Sequence, residues 1–153
     1  MNEDLLNRLQ AWCAKAERSS AEVTARLTRW GVAPEDIPQY LDKLVEDKFI
    51  DDERFLGSFV LDHWRIHGWG KVRIAASLAE KGFEEPDVER ALRLIPDDEY
   101  DAFRQALILE KAKSLPFAPP LGQAQRLLAF ALGRGLEEEW VREWLEVNGY
   151  MDE

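Results

Sequence analysis

Apolar residues recur along the chain in a pattern that repeats three times around a glycine. Val23, Leu27 and Gly31 are followed by Ile37 and Leu41; Ile74, Leu78 and Gly82 by Val88 and Leu92; Leu127, Ala131 and Gly135 by Val141 and Leu145. In each copy the apolar positions stand 8 and 4 residues before the glycine and 6 and 10 after it, and the glycines are 51 and 53 residues apart. Spacings of four keep side chains on one helical face. A glycine between two such stripes takes the left-handed conformation that ends a helix without a Cβ clash. Each copy therefore predicts helix, glycine stop, helix.

A further helix precedes each pair. Leu5, Leu6, Leu9, Trp12, Cys13 and Ala16 have helical spacing, as do Phe55, Phe59, Val60, His63, Trp64 and His67, and then Phe103, Leu107, Ile108 and Leu115. Ser19 and Glu22 have the spacing of a capping box. Acids follow each glycine, at Glu35–Asp36, Glu84–Glu85 and Glu137–Glu139, where a helix N-terminus favours negative charge. Pro34 and Pro86 fall in the early turn that tolerates a missing N–H. No stretch alternates with period two. The pattern predicts an all-α fold of three tandem three-helix repeats, residues 1–49, 50–96 and 97–153, with breaks near 49–51 and 95–98. Units of this size are marginal alone and lean on one another as an elongated, curved helical array. The Pro-rich stretch 114–120 is the expected flexible loop, and the tail 146–152 echoes 46–51 where a fourth unit would begin.

Composition narrows the function. The 153 residues are 46% hydrophobic and 33% charged, a balance that favours a folded chain over a disordered one. Net charge is −10, which argues against a uniformly basic nucleic-acid binder and against direct DNA binding. The charge is striped: residues 61–82 carry +2 and 104–136 carry +4, while 83–103 and 137–153 carry −6 each. Arg65, Lys71, Arg73 and Lys81, then Arg104, Lys111, Lys113, Arg126 and Arg134, could form a basic strip, or simply solvated helix faces. One cysteine, Cys13, excludes an internal disulfide and a Cys-based zinc site, and reads as core. No apolar run is long enough for a bilayer, and the opening Met-Asn-Glu-Asp-Leu-Leu lacks the marks of a signal peptide. The cytoplasm is the expected compartment.

Candidate chemistry is sparse. His63 and His67 are one turn apart but lack further metal ligands, so packing is expected. Asp51-Asp52-Glu53 reads as a helix cap before it reads as a carboxylate cluster. Gly68-Trp69-Gly70 is too short for a phosphate loop, yet Lys71 and Arg73 behind it open a helix whose N-terminus could hold an anion. Trp140 and Trp144, an i, i+4 pair, are either core or exposed partner anchors. No nucleophile triad, cofactor loop or metal motif occurs. No enzyme and no cofactor are expected.

Three motifs together carry a family resemblance. Phe49-Ile50-Asp51-Asp52-Glu53-Arg54-Phe55, then Gly68-x-Gly70-x-x-Arg73-Ile74-x-x-x-Leu78-x-x-Lys81-Gly82-Phe83, and earlier Ser19-x-x-Glu22-Val23-x-x-x-Leu27-x-x-x-Gly31 resemble signatures of the RecX family, bacterial regulators of the recombinase RecA. They cover about residues 15–92, and the repeat extends the likeness loosely to the end. The resemblance implies tandem three-helix repeats, no catalysis, and binding to RecA and the RecA-DNA filament that inhibits recombinase and co-protease activity in DNA repair and the SOS response. It implies basic partner-binding positions at Arg73 and Lys81, and Arg54 in the aspartate-rich signature; Arg65 and Lys71 complete the expected set. Lys71, Trp69, Val72 and Trp30 depart from the family's usual residues. The expected protein is a monomer that contacts RecA and no membrane. The alternative is a helical-repeat adaptor for a different protein, anchored by Trp140 and Trp144.

Overall fold

The computed structural model describes residues 1–115 and 120–150, without the side chains of Pro120 and Leu121. Among these residues the regular structure is helical, with no strand: α1 (Glu3–Lys15), α2 (Ser20–Arg29), α3 (Ile37–Glu46), α4 (Asp52–Arg65), α5 (Lys71–Glu80), α6 (Glu85–Leu92), α7 (Asp97–Ser114), α8 (Pro120–Gly133) and α9 (Glu138–Val147). The fold is the all-α helical repeat that the glycine pattern predicts. Most of the Pro-rich break at 114–120 and the end of the tail lie outside the described residues.

Local signals set the helix ends. Ser19 and Glu22 form the capping box, the Ser19 side chain accepting from the Glu22 N–H at 3.1 Å and Glu22 accepting from the Ser19 N–H at 3.3 Å. Pro34 opens a short 3₁₀ turn before α3, and Pro86 lies in the first turn of α6. Gly31, Gly82 and Gly135 follow α2, α5 and α8 with φ of +84°, +93° and +90°, the left-handed stop the spacing requires.

The chain divides into two compact units, Met1–Phe59 and Val60–Glu153, with the division inside α4. In the first unit, α1, α2 and α3 close around Leu6, Leu9, Val23, Leu27, Tyr40, Leu44 and Ile50. In the second, Val60, Trp64, Ile74, Leu78, Ile95 and Tyr100 are buried, and α7, α8 and α9 enclose Ile108, Leu127, Ala131, Leu136, Val141 and Leu145. The residues 8 and 4 before each glycine are fully buried in all three copies. Each large aliphatic one contributes about 1.5–3 kcal/mol through burial.

After the glycine the buried stripe is centred one residue before the expected position in the first two copies, and in the third the expected position, Leu145, is itself buried. The side chain 9 residues on is buried in every copy, as Tyr40, Ala91 and Trp144, whereas Leu41 and Leu92, 10 residues on, are only half-buried. Positions 6, 9 and 13 after the glycine make an i, i+3, i+7 stripe, with Leu44 and Ile95 at the last. Trp144 therefore belongs to the core, where its Nε1–H donates to Gln105 Oε1 at 2.9 Å and its ring stacks on Tyr150. Of the two readings open for the Trp140 and Trp144 pair, core holds for Trp144.

Candidate interaction surface

In the first unit, the aspartate-rich signature builds structure. Asp51 caps α4, its Oδ1 accepting from the Arg54 N–H at 3.1 Å. Asp52 reaches back 32 residues in sequence to accept the Ser20 N–H, at the first turn of α2, at 2.8 Å. Arg54 braces the same corner: its Nε donates to both oxygens of Glu17 at 2.9 and 2.8 Å, and its two Nη groups donate to the Lys48 carbonyl. That carbonyl follows the end of α3, where a cation is favoured. Three positions of the motif, Asp51, Asp52 and Arg54, thus tie the starts of α2 and α4 to the end of α3.

In the second unit, the connection from α4 to α5 is held by the turn between α8 and α9. Gly68 has φ +67°, and its carbonyl accepts from Arg134 Nε at 3.2 Å and Nη2 at 2.9 Å. The Gly70 N–H donates to the Arg134 carbonyl at 2.6 Å, and the Val72 N–H to the Gly135 carbonyl at 3.0 Å. The Lys71 N–H donates to the Tyr100 hydroxyl at 2.9 Å, and that hydroxyl donates to Glu137 Oε1 at 2.9 Å. These donors are the ones a helix start leaves unpaired. Tyr100 and the Gly135 turn satisfy them, so the anion site expected at the start of α5 is already filled by protein. Burial, reinforced by the Glu137 carboxylate, pushes the Tyr100 hydroxyl well above its ordinary pKa, against the Lys71 N–H, which acts to lower it.

The expected basic residues fall in different places. Arg65 is exposed, stacks on Trp64 at 5.3 Å and approaches Glu99 at 3.9 Å, a pairing worth at most about 1 kcal/mol. The Lys71 ammonium lies over the Tyr100 ring at 4.6 Å. The Arg73 guanidinium lies over Trp69 at 4.0 Å and donates to the Gly133 carbonyl at 3.4 Å. Lys81 caps the far end of α5, a ten-residue helix, which sets it about 15 Å from the helix start. His63 packs against Trp69 and His67, with ring centroids at 4.5 and 5.1 Å. Cys13 is buried, and burial raises its thiol pKa.

What the structure brings together is a different trio. Two shallow depressions of about 360 and 310 Å³ share Arg134. Arg65, Ile66 and Phe103 line the first, and Lys111, Leu107 and Phe130 the second. Ile66 is 73% exposed, and Lys111 and Arg134 both lie over the Phe130 ring. The result is a pair of depressions on either side of Arg134, with apolar walls and three cations, and with the Glu110 carboxylate also lining the second; such a groove suits a surface that carries both acids and apolar side chains. Sequence reasoning counted Arg134 and Lys111 among the bases but left them out of the site. One signal was available for Arg134: it stands directly before its repeat glycine, where Lys81 stands in the preceding copy.

Comparison with known proteins follows the same stretch. Residues 51–92 match the model of the RecX second three-helix domain. The protein "Regulatory protein RecX" of Pseudomonas fluorescens (strain Pf-5) is 30% identical over 137 residues, covering 82% of this chain and 88% of the relative. The same-named protein of Pseudomonas savastanoi pv. phaseolicola is 40% identical over 80 residues; the match covers 52% of this chain and spans about half, 51%, of the relative's length. Among solved structures, RecX from Lactobacillus salivarius superposes with a TM-score of 0.76 at 18% identity, over 93% of this chain and 94% of that one. At that identity the likeness speaks for the fold.

Proposed function

The chain belongs to the RecX family, and from that premise we propose that it is a non-enzymatic regulator of the recombinase RecA. It binds RecA and the RecA-DNA filament and lowers recombinase and co-protease activity, acting in the cytoplasm as a monomer and without a cofactor. Its three helical triplets, 1–49, 50–96 and 97–153, would dock in succession, each raising the effective concentration of the next. Among the described residues, no helix is long and apolar enough to cross a membrane.

The observation that carries the reading is the groove around Arg134 in the second unit. It offers Arg65 beside exposed Ile66 in one depression and Lys111 in the other, in a chain whose net charge is −10. An acidic, partly apolar protein face fits such a groove better than a bare polyanion, which the remainder of the chain repels. Lys71, Arg73 and Lys81 extend the proposed basic surface through what their stacked or half-buried side chains still expose. Arg54 enters chiefly as the brace of the first unit. The test is RecA ATPase on single-stranded DNA, titrated with the protein. Inhibition near equimolar ratio, relieved in Arg65→Glu and in the double variant Lys71→Glu/Arg73→Glu, supports the reading. An unchanged rate across the titration rejects it.

A further inference from the structure

The first unit carries an interaction surface of its own, made by two Arg-x-x-x-Trp pairs that interlock. Arg8 and Trp12 lie one turn apart on α1; Arg26 lies on α2 one turn before Trp30, which caps that helix. Each arginine stacks on the other pair's indole. Arg8 lies over Trp30 at 4.4 Å and Arg26 over Trp12 at 4.0 Å. Arg18, in the connection between the helices, also lies over Trp12 at 4.3 Å, while its Nε donates to the Trp12 carbonyl. The rings are half-buried against the core, and Arg8 is exposed.

These arginines lack acidic partners among the described residues, in a chain where acids outnumber bases by 30 to 20. The acids that act on the Cys13 thiol together with Arg18 are otherwise engaged: Glu17 is held by Arg54, and Glu22 by the capping box. Three guanidiniums are therefore held on aromatic rings without an ion pair among the described residues. Stacking orders the planar group but leaves donors at its edge, where a carboxylate binds in a two-pronged fashion. It also immobilises the side chains before binding, which lowers the entropy cost of capture.

We propose that this ladder is a docking site for an acidic segment of a protein partner, with its Asp or Glu carboxylates on the edges of Arg8, Arg18 and Arg26. Two observations favour carboxylates over single-stranded nucleic acid. The indoles that would stack bases are already covered by guanidiniums, and three phosphate contacts give only a shallow counterion-release gain to a chain of charge −10. The proposal does not rest on the RecA reading, and its test uses no RecA.

The experiment is fluorescence anisotropy of a labelled glutamate-rich peptide with the full chain, with labelled oligo-dT measured in parallel. The expected result is salt-sensitive peptide binding, weakened roughly tenfold or more by Arg26→Glu and by Arg8→Glu. The second of these changes an exposed side chain and keeps the test valid should the first disturb packing. Arg26→Lys, which keeps the charge but loses the planar fork, should weaken binding with the circular dichroism spectrum unchanged. Absence of peptide binding, binding indifferent to both charge reversals, or preferential capture of oligo-dT through the same arginines would overturn the proposal.

Discussion

Gly82 and Gly135 hold the same place in successive repeats and end their helices with nearly the same backbone, φ +93° and +90°, yet they do different work. A methyl group at Gly82 would meet open space, whereas one at Gly135 would drive into the backbone of Arg73, 2.7 Å from its nitrogen. Gly82 serves only the left-handed turn. Gly135 also forms the floor on which the start of α5 rests, with its carbonyl accepting the Val72 N–H. A repeat in sequence thus encodes the turn but not what packs upon it.

Substitutions separate the two duties. Gly135→Ala should cost about 2–4 kcal/mol, from left-handed strain together with overpacking against Arg73, read as a lower urea midpoint. Gly70→Ala isolates the packing part. Its φ of −77° is ordinary, but the added methyl would strike the Gly135 carbonyl and approach the Leu136 nitrogen at 2.7 Å. A loss of about 1–3 kcal/mol is expected there. Gly82→Ala should cost only about 1 kcal/mol, the strain alone. Equal losses at Gly82 and Gly135 in the same denaturation series would erase the distinction.

The smallest expected effect is a pH dependence at the same junction. Tyr100 has its pKa raised above the ordinary 10.0 by burial first and Glu137 second, so the fold favours the neutral hydroxyl. That contribution is complete below pH 10 and is lost as pH rises through the folded pKa. Wild-type stability should therefore fall in alkali more steeply than that of Tyr100→Phe. Parallel curves from chemical denaturation at increasing pH would contradict this role.

The repeat was legible because helix punctuation is local. The fully buried residues before each glycine, the glycine stops and the Ser19 box all follow from spacing within one helix or turn. In the first two copies Leu41 and Leu92 sit at the edge of a face whose centre is held by Tyr40 and Ala91, whereas Leu145 is buried where the spacing puts it. The groove and the arginine ladder were less legible for a different reason. Arg134 meets residues more than 60 positions away, and Arg8 finds its indole on the next helix. Composition locates neither partner. The double Arg-x-x-x-Trp spacing, present in the sequence, becomes meaningful only when α1 and α2 lie side by side.

On the proposed function, the second unit's basic groove holds RecA. Co-sedimentation with RecA filaments on single-stranded DNA tests it most directly, comparing the wild-type protein with Arg65→Glu/Lys111→Glu, two changes that leave the buried core untouched. The wild type should pellet with the filament, and the variant should stay largely in the supernatant while remaining folded. Equal pelleting of both proteins, or of neither, would contradict it.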